Sequence, residues 1–326
     1  MLFQNQHSHL VKKLTALSLF FILSLAVWLV VARLNKTVLR GHHGSITSLV
    51  FSSDDKILLS GALDGEIRMW DLEEMAELKV LRGHNDSVNA IALSPDRKTI
   101  ASVSDDTTVK LWDVDGKRLK MSIENSGLRA RSVAFCNAGK MLAVGATNGL
   151  INLFDVATGA EADTLDGHED VVSSLDAVPG GKVLLSGSFD GTVVVWDVLR
   201  RRQFQVVSFS ENVWGVKCSP DGKTMAILTS GGFVTILEIK TKKKIVQFSR
   251  YFFSTEMAFS IDNRLVATVG FDKTVDLWST ENWKHIWTFE CSSEAGALAF
   301  SNDCKTLAVG LNNCSIELFS CSKFGD

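Results

Sequence analysis

The chain has 326 residues, of which 46% are hydrophobic and only three are proline, and its formal net charge is −3. This composition excludes a disordered chain, because enough apolar side chains are present to bury a core. No overall basic field and no basic face interleaved with aromatic residues is found, which argues against a nucleic-acid-binding protein.

The first predicted element is an uncharged run of 19 residues, Leu14–Ala32, which follows an N-terminal tail at residues 1–13. As an α-helix it would be about 28 Å long, close to the roughly 30 Å hydrocarbon core of a bilayer. Trp28 lies near one end, where amphipathic rings favour the membrane interface. We therefore expect a transmembrane helix and a single-pass membrane protein.

A cleaved signal peptide is the alternative for the same run. Small residues at Ser24–Ala26 and Val30–Ala32 have the cleavage spacing, although the run is longer than a usual signal core. Cleavage would give a secreted or periplasmic protein. The Lys and Arg residues on both flanks favour only weakly a cytoplasmic location for the rest of the chain. Asn35 and Asn85 begin sequons that would be glycosylated only in a secretory lumen.

Short β-like runs that end in an aromatic or large apolar residue recur through the rest of the chain. The steps between these end residues are 42, 42, 42, 41, 41 and 41 positions. A period of about 41 residues is typical of a propeller built from four-stranded blades. The sequence thus predicts an all-β, seven-bladed propeller over residues 36–320 and a C-terminal tail at 321–326. The end residues are Trp70, Trp112, Phe154, Trp196, Leu237, Trp278 and Phe319.

Repeats 1, 2 and 4 also share four side chains at identical offsets from the closing Trp. A His stands 28 residues before the Trp, a Ser 10 before and an Asp 6 before. Three identical Ser-His-Asp sets in separate repeats argue against a catalytic triad, since an enzyme needs only one. The sets are His42, Ser60, Asp64 and Trp70; His84, Ser102, Asp106 and Trp112; and His168, Ser186, Asp190 and Trp196.

This pattern resembles the WD-repeat family, whose blades are like those of G-protein β subunits. The resemblance covers residues 36–320. It implies that each set forms a hydrogen-bonded tetrad inside one blade, because a buried carboxylate and imidazole are costly unless paired. It also implies a noncatalytic scaffold that binds partners on the top face of the ring, where the Gly-His loops lie.

The other four repeats depart from the tetrad. Repeat 6 keeps Thr268, Asp272 and Trp278 but has Arg250 in place of the His. Repeats 3, 5 and 7 lack the Asp and the Trp as well. We expect these blades to rely on apolar packing without a polar network.

Ring closure is predicted to use the strand at Lys36–Arg40, paired with the strand that ends at Phe319, because this pairing removes an exposed edge. By the resemblance, that strand begins on the bottom face, so an anchor would hold this face at the bilayer. Two basic clusters fall on the same edge, at Arg200–Arg202 and Lys242–Lys244, with Lys240 beside the second. Anionic lipid is a possible partner for them, and an ordinary solvated turn is the alternative.

The partner-binding positions implied by the resemblance follow each Gly-His or precede each tetrad Asp. Repeat 6 stands out, because Tyr251, Phe253 and Phe271 are aromatic at normally wet positions, typical of interface anchors. The alternative is that they fill the space of the missing His. Phe189 and Arg129 are further candidates. The complete set is His43, Ser45, Leu63, Asn85, Ser87, Asp105, Gly127, Arg129, Thr147, Glu169, Val171, Phe189, Tyr251, Phe253, Phe271, Glu294 and Asn312.

The prediction for function is a noncatalytic, membrane-anchored scaffold that recruits a protein or peptide of unknown identity, with no cofactor, no metal and no nucleic acid. Six cysteines without a CxxC pair are read as free thiols of a reducing compartment. One alternative is an exported soluble propeller. Another is a substrate receptor of a ubiquitin ligase, which is weakened because Trp196-Asp197 is followed by Arg only at position 200.

Overall fold

The computed structural model describes residues 36–249 and 254–324. These residues form 28 strands in seven four-stranded antiparallel sheets, which are the blades of an all-β propeller. The predicted seven blades are confirmed. In these ranges the only helical element is a 3-10 turn at Asn137–Gly139, and no helix long and apolar enough to cross a bilayer is found. The predicted helix Leu14–Ala32 lies outside the described residues.

In blades 1–6 the four strands are neighbours in chain order. Blade 1 contains β2 (Ile46–Phe51), β3 (Ile57–Ala62), β4 (Ile67–Asp71) and β5 (Ala76–Leu81), and blade 2 contains β6 (Val88–Leu93), β7 (Thr99–Ser104), β8 (Thr108–Asp113) and β9 (Arg118–Glu124). Blade 3 contains β10 (Ala130–Cys136), β11 (Met141–Ala146), β12 (Ile151–Asp155) and β13 (Glu161–Leu165), and blade 4 contains β14 (Val172–Ala177), β15 (Val183–Ser188), β16 (Thr192–Asp197) and β17 (Arg202–Ser208). Blade 5 contains β18 (Val213–Cys218), β19 (Thr224–Thr229), β20 (Phe233–Glu238) and β21 (Lys244–Ser249), and blade 6 contains β22 (Ser254–Phe259), β23 (Leu265–Gly270), β24 (Thr274–Ser279) and β25 (His285–Glu290). Blade 7 contains β26 (Ala295–Phe300), β27 (Thr306–Leu311), β28 (Ser315–Ser320) and the first strand of the chain, β1 (Thr37–Arg40).

Strand β1 closes the ring by pairing with β28, so the predicted closure is confirmed. Leu39 of this strand is buried in a cluster with Ile46 and Trp70 of blade 1 and with Ile316 of blade 7. Similar clusters fill every junction, because each blade can bury its two faces only against its neighbours. A fully buried Leu or Ile stabilises such a junction by about 1.5–3 kcal/mol.

Two further contacts reinforce the junctions around blade 7. The Asp55 carboxylate accepts hydrogen bonds from the backbone N–H groups of Asn302 (2.8 Å) and Asp303 (2.9 Å), which ties blade 1 to blade 7. Within the predicted C-terminal tail, Cys321 is buried and the ring of Phe324 lies 5.9 Å from that of Trp287 in blade 6. The end of the chain therefore packs against the propeller.

Each blade contains a β-bulge in its innermost strand, and blades 1–6 contain a second bulge in the outermost strand. A bulge inserts one extra residue opposite the partner strand and re-aims its side chain. The inner bulge residues are Thr47, Asn89, Arg131, Ser173, Trp214, Thr255 and Gly296. The outer bulge residues are Leu78, Lys120, Ala162, Phe204, Ile245 and Ile286.

Candidate functional site

The polar sets of repeats 1, 2 and 4 form one continuous hydrogen-bond chain inside each blade. In blade 1, Trp70 Nε1 donates to Ser60 Oγ (2.9 Å), the Ser60 hydroxyl donates to His42 Nε2 (2.7 Å), and His42 Nδ1 donates to Asp64 Oδ2 (2.8 Å). The same atoms in blades 2 and 4 are 2.7–3.0 Å apart. Each Ser hydroxyl is fully buried and occupied by Trp and His, so these sets stabilise blades and offer no nucleophile.

The tetrad carboxylates also fix the loops of the top face. Asp64 accepts from the backbone N–H groups of His43 (2.8 Å) and Glu66 (3.0 Å). Burial by itself would raise the pKa of Asp64, but the hydrogen bonds from His42, His43 and Glu66 outweigh it and lower that pKa to about 2. The pKa of Asp106 is likewise lowered to about 2, against burial, by hydrogen bonds from Asn85 and Thr108.

The expectation that the remaining blades lack polar networks is wrong. In blade 5, Glu211 accepts from the Thr229 hydroxyl (2.6 Å) and from the Gly231 N–H (3.0 Å). Gly231 occupies the sequence position of the tetrad Asp, so the carboxylate has moved to the opposite loop and binds the turn from there. In blade 5 a carboxylate on the loop therefore accepts from the turn, whereas in blade 1 the turn carboxylate of Asp64 accepts from the loop.

Blades 3, 6 and 7 contain other substitutes. In blade 3 the buried Asn152 side chain donates to Asn125 Oδ1 (2.9 Å). In blade 6 Trp278 donates to Thr268 (3.0 Å), and its ring stacks on Phe248 at 4.2 Å. In blade 7 the Asn313 amide donates to Ser292 Oγ (3.1 Å). Polar networks thus remain where the His-Asp pair is missing, built from amides in blades 3 and 7 and from a hydroxyl in blade 6.

A depression of about 760 Å³ opens at the mouth of the central channel, and all seven inner bulge residues line it. Four of them, Thr47, Asn89, Ser173 and Thr255, donate a hydrogen bond of 2.5–2.8 Å to a carbonyl of the next blade. These four side chains are committed to holding neighbouring blades together. The side chains that the inner bulges offer to a ligand in the depression are therefore those of the other three positions.

Those three positions carry Arg131, Trp214 and Gly296. Trp214 is 38% exposed and its ring lies 5.9 Å from that of Phe189. Phe271, which is 48% exposed, and Leu63 also line the depression. An exposed apolar wall of this size is typical of a binding surface.

Charged groups form the floor of the depression. Lys217 Nζ lies 3.6 Å from Glu256 Oε1. The Glu256 carboxylate raises the pKa of Lys217, which therefore remains charged at neutral pH. Lys217 and Glu256 also line a smaller cavity of about 310 Å³ further along the channel, so the two cavities meet at this pair.

Arg131 carries the remaining positive charge. It reaches Asn89 Oδ1 at 3.3 Å, and no ion pair involves it within the described part of the chain. The mouth of the channel thus combines an apolar wall with one guanidinium available for an anionic group.

The structure distributes the predicted partner-binding residues unequally. Phe189 and Phe271 line the depression, together with four other predicted positions, Ser45, Leu63, Val171 and Asn312. Arg129 is exposed but does not line it. Tyr251 and Phe253 lie outside the described residues. Sequence reasoning missed Arg131 and Trp214. Alignment of the repeats could have found them, because both are bulky and blades 1, 2, 4 and 6 carry a small hydrogen-bonding side chain at the equivalent position.

No reactive or metal-binding site is found in the described ranges. No cluster of His, Cys, Asp and Glu is close enough to hold a metal ion there. All six cysteines are free, and burial raises the pKa of the Cys136, Cys218 and Cys321 thiols to about 12, far from a reactive thiolate.

The tetrads should make the free energy of unfolding decrease in acid. Because the pKa of Asp106 is about 2 in the folded blade against 3.8 normally, its contribution to stability is present above pH 3.8 and is lost as the pH falls towards 2. Burial lowers the pKa of His84 and His168, so protonation of these side chains in the unfolded chain adds a loss that begins below about pH 6.5. Urea unfolding at a series of pH values should show a shallower acid loss in Asp106→Asn than in the exposed control Asp115→Asn. Equal slopes would contradict the assignment.

Blade 5 predicts a specific loss at Glu211. Glu211→Ala leaves the Thr229 hydroxyl and the Gly231 N–H without their acceptor, which should cost about 1–3 kcal/mol of unfolding free energy. The matched control is Glu169→Ala on the corresponding loop side of blade 4, where the side chain is exposed. A loss at Glu211 no larger than at Glu169 in urea unfolding would show that the network does not stabilise the blade.

Comparison with known proteins agrees with the geometry. The family described as "WD domain, G-beta repeat" matches residues 33–71, 75–113, 159–197 and 254–279, which are repeats 1, 2, 4 and part of 6. Protein ROOT INITIATION DEFECTIVE 3 of Arabidopsis thaliana is 59% identical over 32 residues, which are 10% of this chain and 7% of that protein. The chain thus contains WD40 repeats, and they are arranged as a seven-bladed propeller.

Proposed function

We propose that this protein is a noncatalytic, membrane-anchored scaffold that captures a protein or peptide partner in the depression at the mouth of the channel. WD40 propellers are generally noncatalytic and generally bind protein partners. The observation that carries the proposal is the departure of Arg131 and Trp214 from the small hydrogen-bonding residues at the equivalent positions of four other blades. We assign a binding role to these two positions because their side chains do not repeat the hydrogen bonds that the other four donate to the next blade.

The chemistry of the depression defines the class of partner. Trp214, Phe189, Phe271 and Leu63 would bury an aromatic or aliphatic side chain, since Trp and similar anchors dominate binding energy at interfaces. Arg131 would bind a carboxylate of the same segment with paired N–H donors. The partner is therefore a peptide segment in which a large apolar residue lies next to an acidic one.

A displayed library of random peptides tests this proposal. The full chain should enrich peptides that pair a large apolar residue with Asp or Glu, and the Trp214→Ala, Phe271→Ala double variant should bind them at least tenfold more weakly, since removal of a hot-spot residue costs about 2 kcal/mol or more. Phe233→Ala is the matched control, because Phe233 is equally exposed at 37% but does not line the depression. Thermal unfolding should be nearly unchanged in all variants. Enrichment that survives the double variant, or a large fall in its melting temperature, would contradict the proposal.

Membrane attachment is supported by the length and composition of the uncharged run Leu14–Ala32. A location of the propeller in the cytoplasm is supported by its six free thiols, because secreted proteins usually pair theirs. A secreted or periplasmic propeller is the alternative.

Alkaline carbonate extraction tests the anchor. We expect the full chain to remain in the membrane pellet after expression in cells, because a spanning helix resists extraction. Asn85 is exposed, so the same sample treated with an endoglycosidase reports the side of the membrane: a shift in mobility would place the propeller in the secretory lumen. Release of the chain into the supernatant would show that the run is cleaved or does not span the bilayer.

A further inference from the structure

The outer edges of blades 4 and 5 form one continuous surface of unusual composition, which we call the basic rim and define as residues 199–206 and 240–245. It contains seven Lys and Arg residues and no Asp or Glu. The two segments contact each other, since Gln205 Nε2 donates to the Lys240 carbonyl (3.0 Å) and Lys242 Nζ donates to the Val206 carbonyl (3.1 Å). The rim is therefore a single surface shared by adjacent blades.

Most of this charge is not neutralised by the protein. Arg200 pairs with Asp197 at 2.7 Å and Arg201 with Asp163 at 3.1 Å. Arg202, Lys240 and Lys243 are exposed and take part in no ion pair in the part of the chain that the structure describes. The Lys244 ammonium donates a hydrogen bond to Gln247 Oε1, at 3.1 Å. Among the described residues, five of the seven basic side chains of the rim thus have no carboxylate partner.

Large apolar side chains project from the same surface. Phe204 is the outer bulge residue of blade 4 and is 63% exposed, the highest value for any large apolar residue in the described ranges. Ile245 is the outer bulge residue of blade 5 and is 47% exposed. Leu199, at the turn before Phe204, is also exposed. The bulges direct Phe204 and Ile245 outward, away from the blade core.

We infer that the basic rim docks on an anionic lipid surface, with Phe204, Ile245 and Leu199 inserted at the interface and the Lys and Arg side chains on the headgroups. Basic side chains around exposed apolar ones are the combination that binds at a bilayer interface. Nucleic acid is disfavoured as the occupant, because stacking on bases needs aromatic rings and the rim has only one. This surface is distinct from the channel mouth, and its docking does not require an embedded N-terminal segment.

The chain offers its own control surface. Leu78 is the outer bulge residue of blade 1 and is 37% exposed, but Glu73 and Glu74 in the preceding turn and Glu77 in the same strand stand in place of basic residues. The geometry is the same and the charge is reversed. A lipid response at Phe204 that is missing at Leu78 would therefore report the basic rim and not a general affinity for lipid.

The test uses an environment-sensitive fluorophore on the full chain, attached to Phe204→Cys or to Leu78→Cys, with the labelled unsubstituted chain as background for the native thiols. Vesicles of phosphatidylcholine, with or without phosphatidylserine, are supplied in excess, so the reading does not depend on whether the N-terminal segment is embedded. Phosphatidylserine should shift the Phe204 probe to shorter wavelength and raise its intensity, while the Leu78 probe stays unchanged.

Charge removal gives the quantitative part of the test. Arg202→Gln, Lys243→Gln and Lys244→Gln together should lower the ratio of docked to undocked Phe204 probe by about two orders of magnitude, because each charge near such a surface contributes about 1 kcal/mol, or about fivefold. High salt should also weaken the Phe204 response, since it shortens the screening length from about 10 Å at 0.1 M to about 3 Å at 1 M.

Three outcomes would overturn the inference. They are no response to phosphatidylserine, an equal response at Leu78 and Phe204, and a response that heparin or RNA produces without vesicles. The last result would assign the rim to a soluble polyanion. Failure of peptide binding at the channel mouth, or release of the chain by carbonate, would leave the Phe204 reading interpretable.

Discussion

The structure depends on ring closure, because no blade can bury both of its faces without two neighbours. The chain meets this constraint by placing its first described strand, β1, in the last blade, where Leu39 fills the junction between blades 7 and 1. The Asp55 hydrogen bonds and the packing of Phe324 add to the same region of the ring. Opening the ring at one junction would expose two apolar faces, so closure is the step on which the remaining packing depends.

Inside this ring the repeats tolerate exchange of residues as long as each blade tip satisfies its polar groups. Blades 1, 2 and 4 use a His-Asp pair, whereas blade 5 uses Glu211 from the opposite loop and blade 3 uses a pair of Asn side chains. The physical requirement is an acceptor for buried N–H and O–H donors, and several residue types supply one. Arg131 and Trp214 at the channel mouth depart from the repeat without such a requirement, and the proposed function rests on them.

Sequence reasoning succeeded where a signal repeats and failed where it occurs once. The period of 41–42 residues predicted seven blades, and the identical offsets of His, Ser and Asp marked the sets that the structure joins by hydrogen bonds. Trp214 was missed because strand alternation assigns a side chain to a face by counting in twos, and a bulge shifts that count. Glu211 was missed because it lies 20 residues before the N–H of Gly231 that it binds, outside the aligned tetrad positions.

The amino-acid sequence by itself determined the all-β class, the number of blades, the strand that closes the ring and the presence of an uncharged run of membrane-spanning length. These properties follow from periodicity and composition, which can be read from the sequence without knowing which residues are in contact. Only the tertiary structure decided which side chains converge. Arg131, Trp214 and Phe271 come from three different blades, and Val206 meets Lys242 only because adjacent blades pack side by side. Closed-ring packing brings together residues of different repeats, such as Val206 and Lys242, which are 36 positions apart, and no pattern within one repeat encodes that proximity.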